Sequence, residues 1–288
     1  MNKKQRKNSG YFWMALPMYL FALLFVMMPL IYVTALSFMT ASGGFGAVPE
    51  FTMDNYKRIL EPSYLNAFKV SLKIGFFTTL GTALIGYPFG YFMAGLSERG
   101  KNLVMMLLVI PFWTNALIRI YGWITILRSN GLLSEALLHM GLIQERLQIL
   151  YTEPAVIIGM IYALLPFMIL SVYSSCSKID PALPEASRDL GAGRLKTFWN
   201  ISLRLSMPGL LSGFVLVFVP SIGLFFISDL MGGGKVMIVG TLIKNQLMTS
   251  RNWPFGAALS VVMLIMMFLI IGLYRRLTNV KEIEGLGF

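Results

Sequence analysis

One cysteine, Cys176, and one histidine, His139, are all that 288 residues contain. A disulfide framework and a cysteine-rich metal site are thereby excluded, and most zinc chemistry with them, so both residues read as structural. Charge is scarce too: 13% of the residues are charged, where an average soluble domain carries about a quarter. Only 13 residues are acidic, against 24 lysines and arginines. The apolar runs hold no paired carboxylate, no histidine-rich motif and no serine–lysine arrangement, which argues against an intramembrane enzyme. Neither an inverted repeat nor an intramembrane acid relay is found, which argues against an autonomous secondary transporter. A P-loop is missing as well. Its nearest lookalike, Gly232-Gly233-Gly234-Lys235, lacks the first glycine of the motif and is followed by valine.

What the chain does have is apolar length. Hydrophobic residues make up 56% of it, and the mean hydropathy is +0.70. Disorder needs the opposite composition. A spanning helix needs about 20 mostly apolar residues, and six stretches qualify. They are Tyr11 to Met39, Ile74 to Ser97, Asn102 to Leu127, Pro154 to Cys176, Ser206 to Ser228 and Phe255 to Tyr274; only the third holds a charge, Arg119. Within a bilayer each backbone N–H must bond inside its own segment, so all six read as helices. The fold class expected is an all-α membrane protein with six transmembrane helices. The basic cluster Lys3, Lys4, Arg6 and Lys7 resembles the start of a signal peptide. The apolar run behind it is far longer than a signal h-region of about 7–15 residues, so it reads as a retained first helix.

The net charge of +11 follows the membrane rather than nucleic acid. With the N-terminus inside, 14 of the 24 basic residues fall in inner segments, as the positive-inside rule expects. Both termini, 1–10 and 275–288, are then cytoplasmic, and the membrane domain runs over 11–274. The outer loops at 40–65 and 128–153 each hold two basic and three acidic residues. The third outer loop breaks the pattern with Lys235, Lys244 and Arg251. In 128–153, Leu133, Ala136, Leu137 and Met140 stand at helical spacing and predict a short helix on the outer surface. Residues 236–249 give a similar signal. Prolines fall inside five spans, at gates or as ordinary features of membrane helices. Gly86, Gly90 and Ala94 form a small-residue face for a packing seam or a heterodimer contact.

The inner loop, 177–205, is the most informative segment. Asp180 before Pro181 is a helix start. The helix continues through Glu185, Ala186, Ser187, Asp189 and Leu190, and Gly191 and Gly193, flanking Ala192, are expected to stop it in a left-handed turn. A second helix is predicted from Arg194 to Leu205, with Leu195, Phe198, Trp199 and Ile201 on its apolar face. The residues alone leave two readings open: a connector lying on the membrane, or a rigid device offered to a partner. Glu185-Ala186-Ser187, then Gly191, then Ile201 and Leu203 resemble the EAA loop of ATP-binding-cassette importer permeases. Ser187 stands where that pattern has alanine, and Arg204 where it has proline. The resemblance implies a loop that docks on a separate ATPase, through Glu185, Ala186, Ser187, Asp189, Gly191, Ala192 and Gly193.

Two further segments carry chemistry. In Pro111–Trp123, an arginine inside an apolar helix costs ~3 kcal/mol or more, so Arg119 faces a polar interior or anchors near the outer interface. Trp113, Asn115 and Tyr121 add aromatic faces and polar tips, while Trp123 suits an interfacial belt. Asp229, at the edge of span five, has three open roles: pairing with Arg119, capping a helix, or meeting a cationic ligand.

The blocks Pro111 to Gly122, Pro154 to Ser174, Pro184 to Leu190, Ser228 to Gly233 and Trp253 to Gly256 resemble spermidine/putrescine importer permeases, in particular their B-type subunit. The likeness extends over residues 12–275. It implies a second permease subunit, two copies of an ATP-binding subunit and an extracytoplasmic polyamine-binding protein. ATP and Mg would sit on the ATPase partner, with no cofactor or metal on this chain and no nucleic-acid partner. Trp113, Asn115, Arg119, Tyr121 and Asp229 would line the translocation pathway. A polycation is held by carboxylates and aromatic faces; this chain supplies the aromatics and Asp229, so most of the acids belong to a partner. Arg119 keeps a different organic or anionic cargo as the alternative.

Overall fold

The computed structural model describes residues 16–43 and 46–277. The basic cluster Lys3–Lys7, the first residues of span one and the tail after 277 lie outside the described residues. The chain divides into two compact units: the segment up to Tyr64 with Ile243–Met266, and Leu65–Leu242 with the segment from Met267.

In the first unit, helix α1 (Leu16–Ser37) is apolar along its length. Only Leu36 and Ser37 are buried, so the remaining side chains need an apolar solvent. The polar loop that follows is ordered. Strand β1 (Met39–Ala41) pairs antiparallel with β2 (Ala47–Phe51), and helix α2 (Asp54–Ile59) closes on them. Tyr56 and Ser37 share a hydroxyl hydrogen bond of 2.6 Å, and Asn55 Nδ2 donates to the carbonyls of Ser37 and Met39. The buried end of α1 is thereby tied to the loop. The Arg58 guanidinium lies 4.7 Å from the centre of the Phe255 ring, a contact worth ~0.5–2 kcal/mol.

The second unit holds most of the spans. Helix α3 (Pro62–Ala94) begins twelve residues before the expected Ile74. Proline suits the first helical position, where its missing N–H costs nothing. Lys73, on the added turns, meets Glu153 at 2.6 Å. The third span is corrected by the structure. Helix α4 (Glu98–Val109), a 3₁₀ turn over Ile110–Trp113 and helix α5 (Ala116–Leu127) replace one straight helix. The two halves meet at 94°. Pro111 cannot donate to the Leu107 carbonyl, and Asn115 Oδ1 caps the new helix by accepting from Leu117 N–H at 2.8 Å. The described residues thus hold five helices long and apolar enough to cross a membrane, or six when this bent pair counts as one.

Helix α6 (Leu132–His139) stands where the outer amphipathic helix was predicted, with Leu133 and Leu137 partly buried. Helix α7 (Glu153–Cys176) is the centre of the unit. Helix α8 (Ala182–Asp189) is the first loop helix. The second loop helix does not end at Leu205. It runs unbroken into span five as α9 (Arg194–Gly223), a 30-residue helix. No capping residue or glycine interrupts it near Leu205, and a π turn over Phe198–Ser202 takes up the irregularity. Span five in turn stops at Gly223, short of the expected Ser228. Leu224 (φ −71°, ψ 71°) leaves the helical region and ends it, and α10 (Phe225–Gly232) starts anew.

Helix α11 (Val239–Lys244) corrects the reading of 236–249 as a surface helix: Val239–Leu242 are buried, and Val239 N–H donates to the buried Ser71 hydroxyl at 2.7 Å. The last helix, α12 (Trp253–Leu277), matches span six.

Two apolar clusters hold this unit together. One joins Ile120, Ile124, Val156, Met160, Ile227 and Met231 from α5, α7 and α10. The other joins Ala83, Tyr87, Leu164, Met168, Val172 and Val217 from α3, α7 and α9. The small-residue face of α3 is a seam within the chain. Gly90 lies against the Ile169 carbonyl and Val172 of α7, and a Cβ there would meet that carbonyl at 2.9 Å. Several buried hydroxyls bond back to their own helix, as Ser71 to Ala67 O and Thr79 to Gly75 O, which satisfies them without water.

Candidate functional site

The inner loop is built as a helix, a tight turn and a long lever. Asp180 Oδ1 accepts from Ala182 N–H at 2.9 Å and starts α8. Gly191 ends it with φ +86°, a left-handed conformation that suits glycine. Gly193 does not share this role. Its backbone is extended (φ −65°, ψ 161°), and it caps α9, its carbonyl accepting from Thr197 N–H at 3.0 Å. Across the turn, Ser187 and Thr197 share a hydroxyl hydrogen bond of 3.1 Å. Glu185, Ala186 and Asp189 are exposed on α8, and Ala192 is half-buried between the glycines.

The loop exposes large apolar side chains among its charges. Leu190 is 89% exposed and Leu195 77%, with Leu183 and Trp199 beside them. Apolar groups at the tip of a polar loop mark a contact surface. Sequence reasoning placed Leu190 only as the helix end; its signal was a leucine set between Asp189 and Gly191.

From the loop the structure runs into the membrane. Phe198, in the π turn, packs edge-on against the rings of Tyr87 and Tyr91 on α3, at 5.9 and 5.6 Å. Tyr87 shares a 2.7 Å hydrogen bond with Ser206, and Tyr91 a 3.2 Å bond with Ser202. The start of α9 is therefore pinned to α3 by two hydroxyl pairs. Neither tyrosine was singled out from the sequence, since each partner lies more than 100 residues away.

The five expected pathway residues divide. Trp113, at the corner between α4 and α5, is 84% exposed, and Tyr121 is also exposed. Asn115 is engaged as the cap of α5. Arg119 turns toward α7: its guanidinium lies over the rings of Phe112 and Tyr162, at 5.3 and 5.8 Å, and it forms no ion pair among the described residues. Asp229 is half-buried in the last turn of α10, where its carbonyl accepts from Gly233 N–H at 3.2 Å. Among the described residues no three His, Cys, Asp or Glu side chains gather into a metal site.

Comparison with known proteins agrees with this architecture. Residues 86–279 match the family of the binding-protein-dependent transport system inner membrane component. The spermidine/putrescine transport system permease protein PotB of Escherichia coli (strain K12) is 44% identical over 263 residues, covering 91% of this chain and 96% of that one. PotB of Haemophilus influenzae is 44% identical over 253 residues, covering 88% of each. A solved structure of a bacterial alginate ABC transporter, in complex with an alginate pentasaccharide-bound periplasmic protein, superposes with a TM-score of 0.76 at 17% identity, covering 96% of both chains. A loop built as helix, turn and lever, a broken third span and a match over most of the chain agree: this protein belongs to the family of inner membrane components of binding-protein-dependent transport systems.

Proposed function

We propose that this chain is one permease of an ATP-driven importer of spermidine and putrescine, forming half of the pathway in a heterodimer with a second permease. The observation that carries the reading is the 44% identity to PotB over 91% of the chain, which spans both the inner loop and the broken third span. The N-terminus and C-terminus are cytoplasmic, a placement supported by the basic residues of the inner segments. Two copies of an ATP-binding subunit dock on the inner loop and hold the ATP and Mg. An extracytoplasmic binding protein delivers the polyamine. Helix α9 carries the motion of the loop inward as a rigid body, and the hydroxyl pairs to Tyr87 and Tyr91 take α3 with it. Trp113 and Tyr121 offer aromatic faces to the cargo, with Asp229 as the acid this chain contributes. An anionic cargo is the weaker reading, because the Arg119 charge is already covered by two aromatic faces.

The test is uptake of radiolabelled spermidine and putrescine by proteoliposomes holding this chain, its companion permease, the ATPase and the binding protein. ATP-dependent uptake that is lost when this chain is omitted is the expected result. ATP hydrolysis stimulated only by another cargo would overturn the polyamine assignment. The pinning of α9 has its own test. Tyr87→Phe with Tyr91→Phe keeps both rings and removes both hydroxyls. The expected outcome is stimulated ATP hydrolysis within about twofold of wild type and a several-fold fall in polyamine moved per ATP. An unchanged ratio would show that these bonds only hold the fold; each is worth ~1 kcal/mol.

A further inference from the structure

The outer face carries a basic recess that no part of the transport reading uses. It is lined by Arg128 and Asn130 after α5, Gln148 and Tyr151 before α7, and Lys235 after α10. It measures about 370 Å³, and no carboxylate lines it. Arg128 and Lys235 are both exposed, and neither forms an ion pair among the described residues. Lys235 belongs to the outer loop whose basic residues run against the positive-inside rule, so topology does not account for its charge.

The walls are built with care for their shape. Arg146 donates to Asn130 Oδ1 at 2.6 Å, which holds the 146–148 segment against the turn after α5. That turn is closed so tightly that a Cβ on Gly131 would meet the carbonyls of Thr125 and Ile126 at 2.5 Å. Tyr151 stands at φ +66°, a left-handed conformation that strains a bulky residue and clusters at functional sites. Its N–H donates to Met231 O at 2.9 Å, and its ring fills the place where Gly233 lacks a side chain. Three segments distant in sequence are thus locked around two free cations. A preorganised cationic pocket loses little entropy when an anion enters.

We infer that this recess is a docking pocket for carboxylate side chains of the external binding protein. The inference rests on the proposed function, which brings a polyamine-carrying protein to this face. A protein that holds a polycation does so with carboxylates around its cleft, and an acidic rim meeting a basic recess steers and registers the encounter. A lipid phosphate is the competing occupant, and the experiment separates the two.

The complete complex is reconstituted in nanodiscs of phosphatidylcholine alone, and in nanodiscs that also contain phosphatidylglycerol. ATP hydrolysis is followed against the concentration of spermidine-loaded binding protein. For Arg128→Glu with Lys235→Glu, the half-saturating concentration is expected to rise about tenfold or more in both lipids, with basal hydrolysis unchanged. The salt dependence of wild-type docking between about 50 and 300 mM should largely disappear. Arg128→Gln with Lys235→Gln gives a milder rise and carries the test if the reversed pair does not assemble. An unchanged half-saturating concentration overturns the inference, as does a shift seen only with phosphatidylglycerol, which would assign the recess to lipid. A wild-type complex that does not respond to the loaded binding protein would instead overturn the polyamine reading.

Discussion

Replacing Leu190 with aspartate is expected to abolish ATP-dependent uptake while the chain still inserts and folds. The side chain is 89% exposed, and in the fold it stabilises nothing that aspartate would lose. It stands at the tip of the loop, beside Gly191 and near Leu183 and Leu195 in sequence. In the docking proposed above, burying this leucine against the ATPase contributes ~1.5–3 kcal/mol. A carboxylate at the same place would be buried without a partner, which adds ~1–3 kcal/mol of penalty. Together these weaken ATPase docking by about a hundredfold or more. The measurement is co-purification of the ATPase with the permease pair, alongside uptake. Leu190→Ala removes the apolar contact alone and should cost about tenfold. Glu185→Ala should also lower uptake, through the exposed face of α8. Normal ATPase retention in Leu190→Asp would remove the loop tip from the interface. Unaltered thermal unfolding of the variant alone separates a docking defect from a folding one.

Gly209→Val is expected to prevent the stable fold altogether. Helices α7 and α9 are in close contact at this residue. The Ser171 hydroxyl donates to the Gly209 carbonyl at 2.8 Å. A Cβ on Gly209 would meet the Ser171 carbonyl and the Ser175 Cβ, both at 2.6 Å, and the Ser175 hydroxyl closer still. Two of these atoms are fixed by the backbone, so no rotamer change relieves the clash. The helices would have to separate, opening the cluster of Met168, Val172 and Val217 behind them. Overpacking costs ~1–3 kcal/mol where neighbours can shift, and here the cost should exceed that range. The expected result is loss of the monodisperse protein on detergent extraction. Gly272→Val is the matched control: nothing lies within 4 Å of a Cβ there, so it should behave as wild type. A stable Gly209→Val protein would show that α7 and α9 do not pack as described.

The spans were legible because their signal is composition over about 20 residues, which single side chains cannot overturn. Boundaries were less so. Span two was expected from Ile74, just after Lys73, yet a helix ignores charges it can hold at its surface, and α3 runs back to Pro62. The break in span three left a readable trace. Pro88 and Pro166 lie inside unbroken helices, whereas Pro111 is followed by Thr114 and Asn115. A proline removes one bond; a break also needs a residue that starts the next helix, and Asn115 supplies it. In the inner loop, Asp180 and Gly191 were local signals and held. Gly193 was misread because glycine serves both ends of a helix, and only the sign of its φ decides which. The recess was legible only as an exception to the expected topology, a lysine in a loop read as external. Its walls come from three segments that no local pattern joins.

The broken third span has a consequence for how the transporter responds to acid. From Ile110 to Leu127, through the corner and the whole of α5, the chain contains no histidine, the side chain that changes charge between about pH 5 and 8, and no carboxylate that burial could raise into that range. What this stretch can offer a cation is ring faces, which take up no proton. The charge of this stretch is therefore the same across that whole range, and, lining the pathway as proposed, it would have no means of exchanging a proton for the ion that passes.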